Sequence, residues 1–480
     1  QTQMRVEKGV LGYSQAREPI SGDDLAPDVG VGVIHPLPPN ERPMSGTTQR
    51  DDFRAPIARS FSVHAAGAPL VFVVKKNATV LKHLLNWAKN TGKQDSDGVP
   101  YVSGIPMLVI DDESDVGSVD TVGGVIDDAG EVDEDHNPST INKQIRKLLT
   151  LFDQSSYIGY TATPFANVLI HDEGVVGVDQ GLRIGKDLFP SNFIISLASP
   201  TNHVGPSVIF GTATDGEKER EELPILRNVT DSEVGDNPTD YWMPGTHRKD
   251  HIPRYRNKDE VPPSLEDAVL SFILVCAARE LRGDGREHNS MLVHVTRFVD
   301  VQERVLNQIE ALLQDIRSRL RNSTADRDLR GRLKQLWQED CIATTKKIAN
   351  REGTLFQNPL HTWSEIESVL VPVAGSIQHR AINGESGEVL DYEKHTEGLN
   401  IIAVGGDKLA RGLTLEGLSV SYFLRGTRMY DTLMQMGRWF GYRDKYLDVC
   451  RLYTSGDMIQ WFGHIADAAE ELRIERVRKR

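Results

Sequence analysis

The 480 residues hold only three cysteines, and Cys276, Cys341 and Cys450 stand too far apart to suggest a disulfide framework or a zinc pattern. That scarcity fits a reducing compartment, so the expected location is the cytoplasm. No apolar run approaches the roughly 20 residues needed to cross a bilayer, and no membrane role is expected. Positive charge is short as well: 55 Lys and Arg against 69 Asp and Glu leave a formal net charge of −14. Such a balance argues against a surface coated throughout for nucleic acid, because phosphate binding needs local positive charge. Two basic stretches remain, "RSRLRNSTADRDLRGRLK" from Arg317 to Lys334 and the closing "RIERVRKR", and both read as solvated helix faces. The first residue is Gln1, and "QTQMRVEKG" lacks the charged and apolar regions of a signal peptide, so a start inside a longer protein is expected.

What is present is a repeated alternation of short apolar, β-rich runs with segments of helical period. That pattern predicts an α/β protein with parallel sheets covered by helices. A first series of candidate strands is "LVFVV" (70–74), "PMLVI" (106–110), "SYIGY" (156–160) and "FIISL" (193–197). A second is "MLVHV" (291–295), "NIIAV" (400–404), "LSVSYFL" (418–424) and "VCRLY" (449–453), which implies two sheets. Between them the chain turns polar and rich in turn residues, as in "DNPTDYWMPGTHRKDHIPRYRNKDEVPP". The expected organisation is a first lobe over 1–205, a linker or insertion over 206–265, a second lobe over 266–465, and the start of a further region over 466–480.

Ligands in open α/β sheets bind beyond the carboxyl ends of strands, so residues just after each strand carry most weight. The run "VIDDESD" sets Asp112 and Glu113 there: one carboxylate to hold Mg²⁺ through its waters, its neighbour to orient an attacking water. Charges so close would repel unless a cation or positive partners sit among them. In "YTATPFAN" the hydroxyls of Thr161 and Thr163 can bond to that acidic turn while Pro164 ends the strand. In "VGGDKLARGLTLEGL" Gly405 and Gly406 permit close backbone approach, and Lys408 and Arg411 bring charge for a phosphate or a carboxylate. If "YDTLMQMGRWFGYRDKY" is helical from about Asp431, Leu433, Met436 and Phe440 form a buried stripe, while Gln435, Arg438 and Tyr442 share another face. A left-handed cap at Gly441 would turn Arg443 back toward that face, and two arginines there could neutralise charge developing on a γ-phosphate. In "MLVHVTRFVDVQ" His294 reads as a core residue, with Thr296 and Arg297 at the strand's end as candidates for a nucleic-acid backbone.

Taken in order, "DDESD", "YTATP", "LVHVTRF", "GGDKLARGLTLEG" and "QMGRWFGYR" resemble motifs II to VI of superfamily-two helicase-like motors. More closely, the chain resembles the Z-one endonuclease domain family, in which a DEAD-like lobe precedes a Z-one lobe. The resemblance implies two RecA-like lobes clamping ATP and Mg²⁺, and an ATP-driven translocase on double-stranded DNA. It further implies a motor subunit of a restriction or antiphage system that activates a separate nuclease or recognition subunit, with any oligomer formed through that partner. By motif, it assigns Mg²⁺ to Asp112, the catalytic base to Glu113 and coupling to Thr161 and Thr163. Lys408, Arg411, Gly405 and Gly406 fall on the second lobe's side of the cleft, with Gln435, Arg438 and Arg443 near the γ-phosphate. Ser114 stands where the family's motif II has Ala, and the altered spacing of motif VI leaves Arg438 and Arg443 both open as the finger.

No G-x-x-x-x-G-K-[ST] occurs, and Lys93 in "NTGKQD" lacks the earlier glycine, so the phosphate cradle is missing from these residues. Since "QTQMR" resembles the family's segment just after its Walker A strand and helix, truncation is the expected reason, and a fragment of this kind would be inactive by itself. The alternatives are a DNA endonuclease in its own right and a non-enzymatic assembly module that has lost ATP binding.

Overall fold

The computed structural model describes all residues except 1, 15–25, 39–40, 49–51, 55–68, 120–137, 162–166, 168–176, 196, 198–199, 201, 213–219, 238–239, 323–326, 353–357, 383–391, 407–414, 426–432, 434–435, 438, 440, 444 and 479–480. The chain divides into two compact units, Gln1–Ile194 and Ile195–Arg480. Among the described residues no helix is long and apolar enough to cross a membrane.

In the first unit two strands pair in parallel, β1 (Met107–Asp112) and β2 (Ser155–Tyr160), with Met107 opposite Ser155 and Asp112 opposite Tyr160. Helix α1 (Ala78–Thr91) starts where the Asn77 side chain accepts the Thr79 amide, and Leu81, Leu84, Leu85 and Ala88 fall on one buried face at helical spacing. Helix α2 (Pro138–Leu151) delivers Leu148 and Leu151 to the same core. Phe53, Phe72 and Trp87 meet edge to face there, with ring centroids 5.3 to 5.6 Å apart. Two expected strands differ from the reading. The run at 70–74 is a strand only over Leu70–Val71, and residues 193–195 and 197 are in no strand and stand exposed. An apolar, β-rich composition does not make a strand where no neighbouring strand supplies hydrogen bonds.

The second unit is a mixed α/β body around a six-stranded, wholly parallel sheet. Beyond the two-residue strand β3 (His203–Val204), its strands are β4 (Leu226–Asn228), β5 (Asn289–His294), β6 (Gln378–Ile382), β7 (Asn400–Gly405), β8 (Leu418–Phe423) and β10 (Arg451–Thr454). Strand β9 (Gly441–Tyr442) pairs instead with β3, antiparallel. The sheet order is β4-β10-β8-β5-β7-β6. Every residue of β5, β8 and β10 is buried, the mark of strands covered on both faces, and their near-continuous apolar runs follow from that. Helix α3 (Pro263–Leu281) is buried around its whole circumference from Ala268 to Arg279. Helix α4 (Val299–Arg321) follows β5 and buries a Val301, Val305, Ile309, Leu313, Ile316 and Leu320 stripe.

The polar stretch read as a linker, 206–265, is built into this unit. Strand β4 lies at the sheet edge with Leu226 opposite Leu452, and Trp242 is wholly buried in the same core as α3 and β5. A two-sided edge strand of sequence "LRN" carries no apolar period, so composition hides it.

Strand β5 is the sheet's point of reversal. After it the chain runs out to β6 and back to β7 on one side, then crosses to β8 and β10 on the other. A crevice beyond the carboxyl ends of β5, β7 and β8 is where such a sheet offers a ligand site.

Candidate functional site

Each unit places chemistry at a strand's carboxyl end. In the first, β1 runs straight into the acidic turn. Asp111, 6% exposed, is enclosed by three donors: Lys76 Nζ at 2.9 Å, the Ser118 hydroxyl at 2.5 Å and the Tyr157 hydroxyl at 2.7 Å. The same ammonium donates to the backbone carbonyls of Asp112 at 2.9 Å and Glu113 at 2.6 Å. Lys76 thus supplies the cation that the crowded carboxylates require. Burial, and then the Asp111 charge, drives the Tyr157 phenol well above its usual pKa, so it stays a donor.

With Asp111 tied inward, Asp112 and Glu113 are left exposed. Glu113 adopts φ 52°, the left-handed region that costs a side-chain-bearing residue about 1–2 kcal/mol. The turn is held on its far side by β2: the Ser114 amide donates to the Tyr160 carbonyl at 2.9 Å, and the Thr161 hydroxyl donates to Asp115 Oδ1 at 2.8 Å. Asn167 Nδ2 reaches the Ser114 carbonyl at 3.2 Å. Gly159 faces the Ser114 hydroxyl so closely that a Cβ there would lie 2.7 Å from it.

No group of three metal-ligating side chains occurs among the described residues. One exposed carboxylate after a strand still suits Mg²⁺, which keeps several of its waters and needs only one or two carboxylates. Asp112 fits that part, with Glu113 beside it.

In the second unit the carboxyl ends of β5 and β8, where such a sheet offers a ligand crevice, each lead into an arginine. Thr296 and Arg297 follow β5, Gly405 closes β7 with Gly406 next, and Arg425 follows β8. Thr296 is buried and Arg297 exposed, its guanidinium 4.9 Å from the Phe298 ring centre. The Thr296 hydroxyl lies 2.7 Å from His247 Nε2, and its oxygen accepts the Phe298 amide at 3.2 Å. His247 Nδ1 sits 2.9 Å from the Pro244 carbonyl, which can only accept, so Nδ1 carries the proton and Nε2 accepts from Thr296. Burial first, and then His251, Arg297 and Arg425, hold His247 below the usual histidine pKa.

One turn into α4, Gln302 donates to the Thr296 carbonyl at 3.2 Å, while its amide oxygen is buried with no partner. Gly406 makes room for it, since a Cβ there would lie 2.5 Å from Gln302 Nε2. His294 is a core residue, 5.3 Å centroid to centroid from Phe423.

Farther along, Leu433 and Met436 are buried with Trp439 against Phe423 and Phe462. Gly441 has φ 136°, but as a strand residue opposite Val204 and not as a helix cap. The exposed Tyr442 therefore belongs to β9, which is where the expected helical face ends. Arg443 Nη1 donates to the Tyr442 carbonyl at 2.8 Å, and its guanidinium stands 5.6 Å from the Tyr446 ring centre. Thr163, Lys408, Arg411, Gln435 and Arg438 lie outside the described residues.

Lys76, Ser118, Tyr157, His247, Gln302 and Arg425 escaped the reading of the sequence. Lys76 and Arg425 each follow an apolar run, so the rule that picked out Asp112 points to them too. His247 and Ser118 lie in polar segments without a periodic signal.

No curated protein and no solved structure matches the chain. Residues 264–479, from the start of α3 through the last helix, match the family model of the Z1 (Z-one) domain.

Proposed function

We propose that this chain belongs to an ATP-dependent, helicase-like DNA translocase, the motor subunit of a restriction or antiphage system, working from the cytoplasm and activating a partner nuclease. The Z1 match supports an endonuclease-related system. The finer reading rests on one observation: the turn after β1 exposes Asp112 and Glu113 and is tied by Thr161, at the end of β2, through Asp115. A hydrolytic centre whose neighbouring strand end grips the catalytic turn has a physical route for passing the state of a nucleotide into the protein. In this reading the two units are RecA-like lobes, Asp112 holds Mg²⁺, and Glu113 takes a proton from the attacking water. Bound ATP supplies the transferable phosphoryl group. Arg443, with Arg438, Lys408, Arg411 and Gln435, serves the second unit's side, Gly405 and Gly406 let the backbone approach, and Thr163 joins Thr161 in coupling. Thr296 and Arg297 touch the backbone of double-stranded DNA.

The test uses the protein expressed from its natural reading frame. DNA-stimulated ATP turnover is measured for the wild type and Glu113→Gln, alongside plasmid cleavage by each. Turnover should fall by about a hundredfold or more in the variant, with the plasmid left intact in the absence of a partner. Cleavage by the purified wild type alone would replace the motor reading with that of an endonuclease. DNA binding without any turnover would leave an assembly module.

A further inference from the structure

The crevice beyond β5 holds more than Thr296 and Arg297, and one of its additional parts, His247, comes from the segment composition had set aside. Helix α4 is 23 residues long, and Phe298 at its start gives no side-chain cap, so the amides of its first turn are open to an acceptor. Arg297 and Arg425 flank that start closely enough for both to depress the protonation of His247. Gln302, 1% exposed, keeps an amide oxygen without a donor beside Thr296 and Gly406. A buried acceptor left unpaired costs about 1–3 kcal/mol, and a water donating to both it and a bound anion would remove that cost. We infer that Thr296, Arg297, Arg425 and Gln302 together take one phosphodiester group at the start of α4, and that His247 is the positioning residue deciding whether the Thr296 hydroxyl can donate to it.

The switch follows from the tautomer. With His247 neutral, the Thr296 proton is committed to Nε2, and the hydroxyl offers the crevice no donor. Once Nε2 is protonated it becomes the donor, the Thr296 proton turns free to point at a phosphate oxygen, and the ring adds a positive charge. The ionisable groups facing the ring are His251, Arg297 and Arg425, all disfavouring its cation. Arg304 of α4 holds the Asp250 and His251 carbonyls, and the exposed Asp300 stands in the first turn of α4. A bound anion offsets the two neighbouring arginines, so binding and protonation reinforce one another. Affinity is then greatest below the free-state midpoint and declines as pH rises through the higher midpoint of the complex.

This inference rests on the nucleic-acid reading for its ligand, and two probes keep the failures apart. The first is inorganic pyrophosphate at constant ionic strength, with the His247 imidazole midpoint followed by NMR. It should rise by about half a unit to one unit, a three- to tenfold gain in affinity from about pH 8 to about pH 5.5, and should not rise in the Arg297→Ala, Arg425→Ala double variant. The second is a short labelled DNA duplex followed by anisotropy over the same range. The wild type should bind more tightly at the acidic end, while His247→Phe and the milder Thr296→Val still bind but with a flattened pH profile. A His247 midpoint unmoved by pyrophosphate overturns the site whatever DNA does. A Thr296→Val profile identical to wild type overturns the role of His247. Movement with pyrophosphate but no duplex binding at any pH overturns the phosphodiester as ligand, and with it the nucleic-acid reading.

Discussion

Strand β1 runs into four carboxylates over five residues, and strand β5 is followed by a threonine and an arginine, with a second arginine just after β8. Each turn sits at the carboxyl end of a parallel strand, and each solves its charge problem with a residue from a distant part of its own unit. Lys76, before α1, neutralises the acidic turn from within, leaving Asp112 and Glu113 outside. His247, from the polar segment before α3, does the opposite in the basic crevice: it stays uncharged where a further cation would repel. Position after a strand therefore sets where ionisable side chains gather, and the partner brought in by the fold sets how their charge is balanced.

The sharpest way to break the comparison is Lys76→Met. The variant keeps the stem's packing and removes the ammonium, leaving Asp111 with only the Ser118 and Tyr157 hydroxyls. A buried carboxylate stripped of its cation costs about 3–5 kcal/mol in a closed interior. Lys76 is partly exposed and two donors remain, so about 2–3 kcal/mol is expected, confined to the first unit. Hydrogen exchange reads this by region: amides of 107–112 and 155–160 should lose protection by roughly one to two orders of magnitude, and those of 289–294 should not change. Equal loss in both strands would mean that Lys76 does not act through the acidic turn.

Gly406→Ala probes the basic side and should cost about 1–2 kcal/mol, by overpacking. The added Cβ meets Gln302 Nε2 at 2.5 Å, and Gln302 is held by the Thr296 carbonyl, so the side chain must give up that bond or the turn must shift. Protection in 400–405 should fall, with pyrophosphate binding weakened alongside. An unperturbed His247 midpoint and unaltered protection would show that the two strand ends do not pack as described.

These two residues mark how far the sequence could be read. Apolar runs announced β1, β2, β5, β7, β8 and β10; for β5, β8 and β10, buried at every residue, a strand covered on both faces has little alternative to Val, Ile, Leu and aromatic residues. The same signal misplaced a strand over 193–195 and 197, which pair with no strand among the described residues, and gave no hint of β4, whose neighbour Leu452 lies more than two hundred residues away in the chain. At the strand ends, Asp112, Glu113, Thr296 and Arg297 could be picked out by position, while the side chains that contact their turns from elsewhere in the fold could not. Nothing in "VVKKNAT" says which lysine turns toward Asp111, and nothing in "PGTHRKDH" ties a histidine to Thr296, since both contacts are made by the tertiary fold.

Glu113→Gly is the smallest change in free energy and the most pointed about function. At φ 52° glutamate bears left-handed strain that glycine does not, although glycine also gains more freedom in the unfolded chain. The two effects partly cancel, so the first unit should become more stable by up to about 1 kcal/mol. Strain retained at an exposed carboxylate, where glycine would relieve it, is expected where a side chain serves chemistry and not folding. DNA-stimulated ATP turnover should therefore vanish in a protein that melts slightly higher than wild type. If Glu113→Gly proves less stable, the carboxylate contributes to the fold of the turn itself, and its exposure loses its force as a sign of catalysis. No matching gain is expected from glycine at Arg297, whose φ is not positive, so the paired measurement asks whether backbone strain is peculiar to the acidic end.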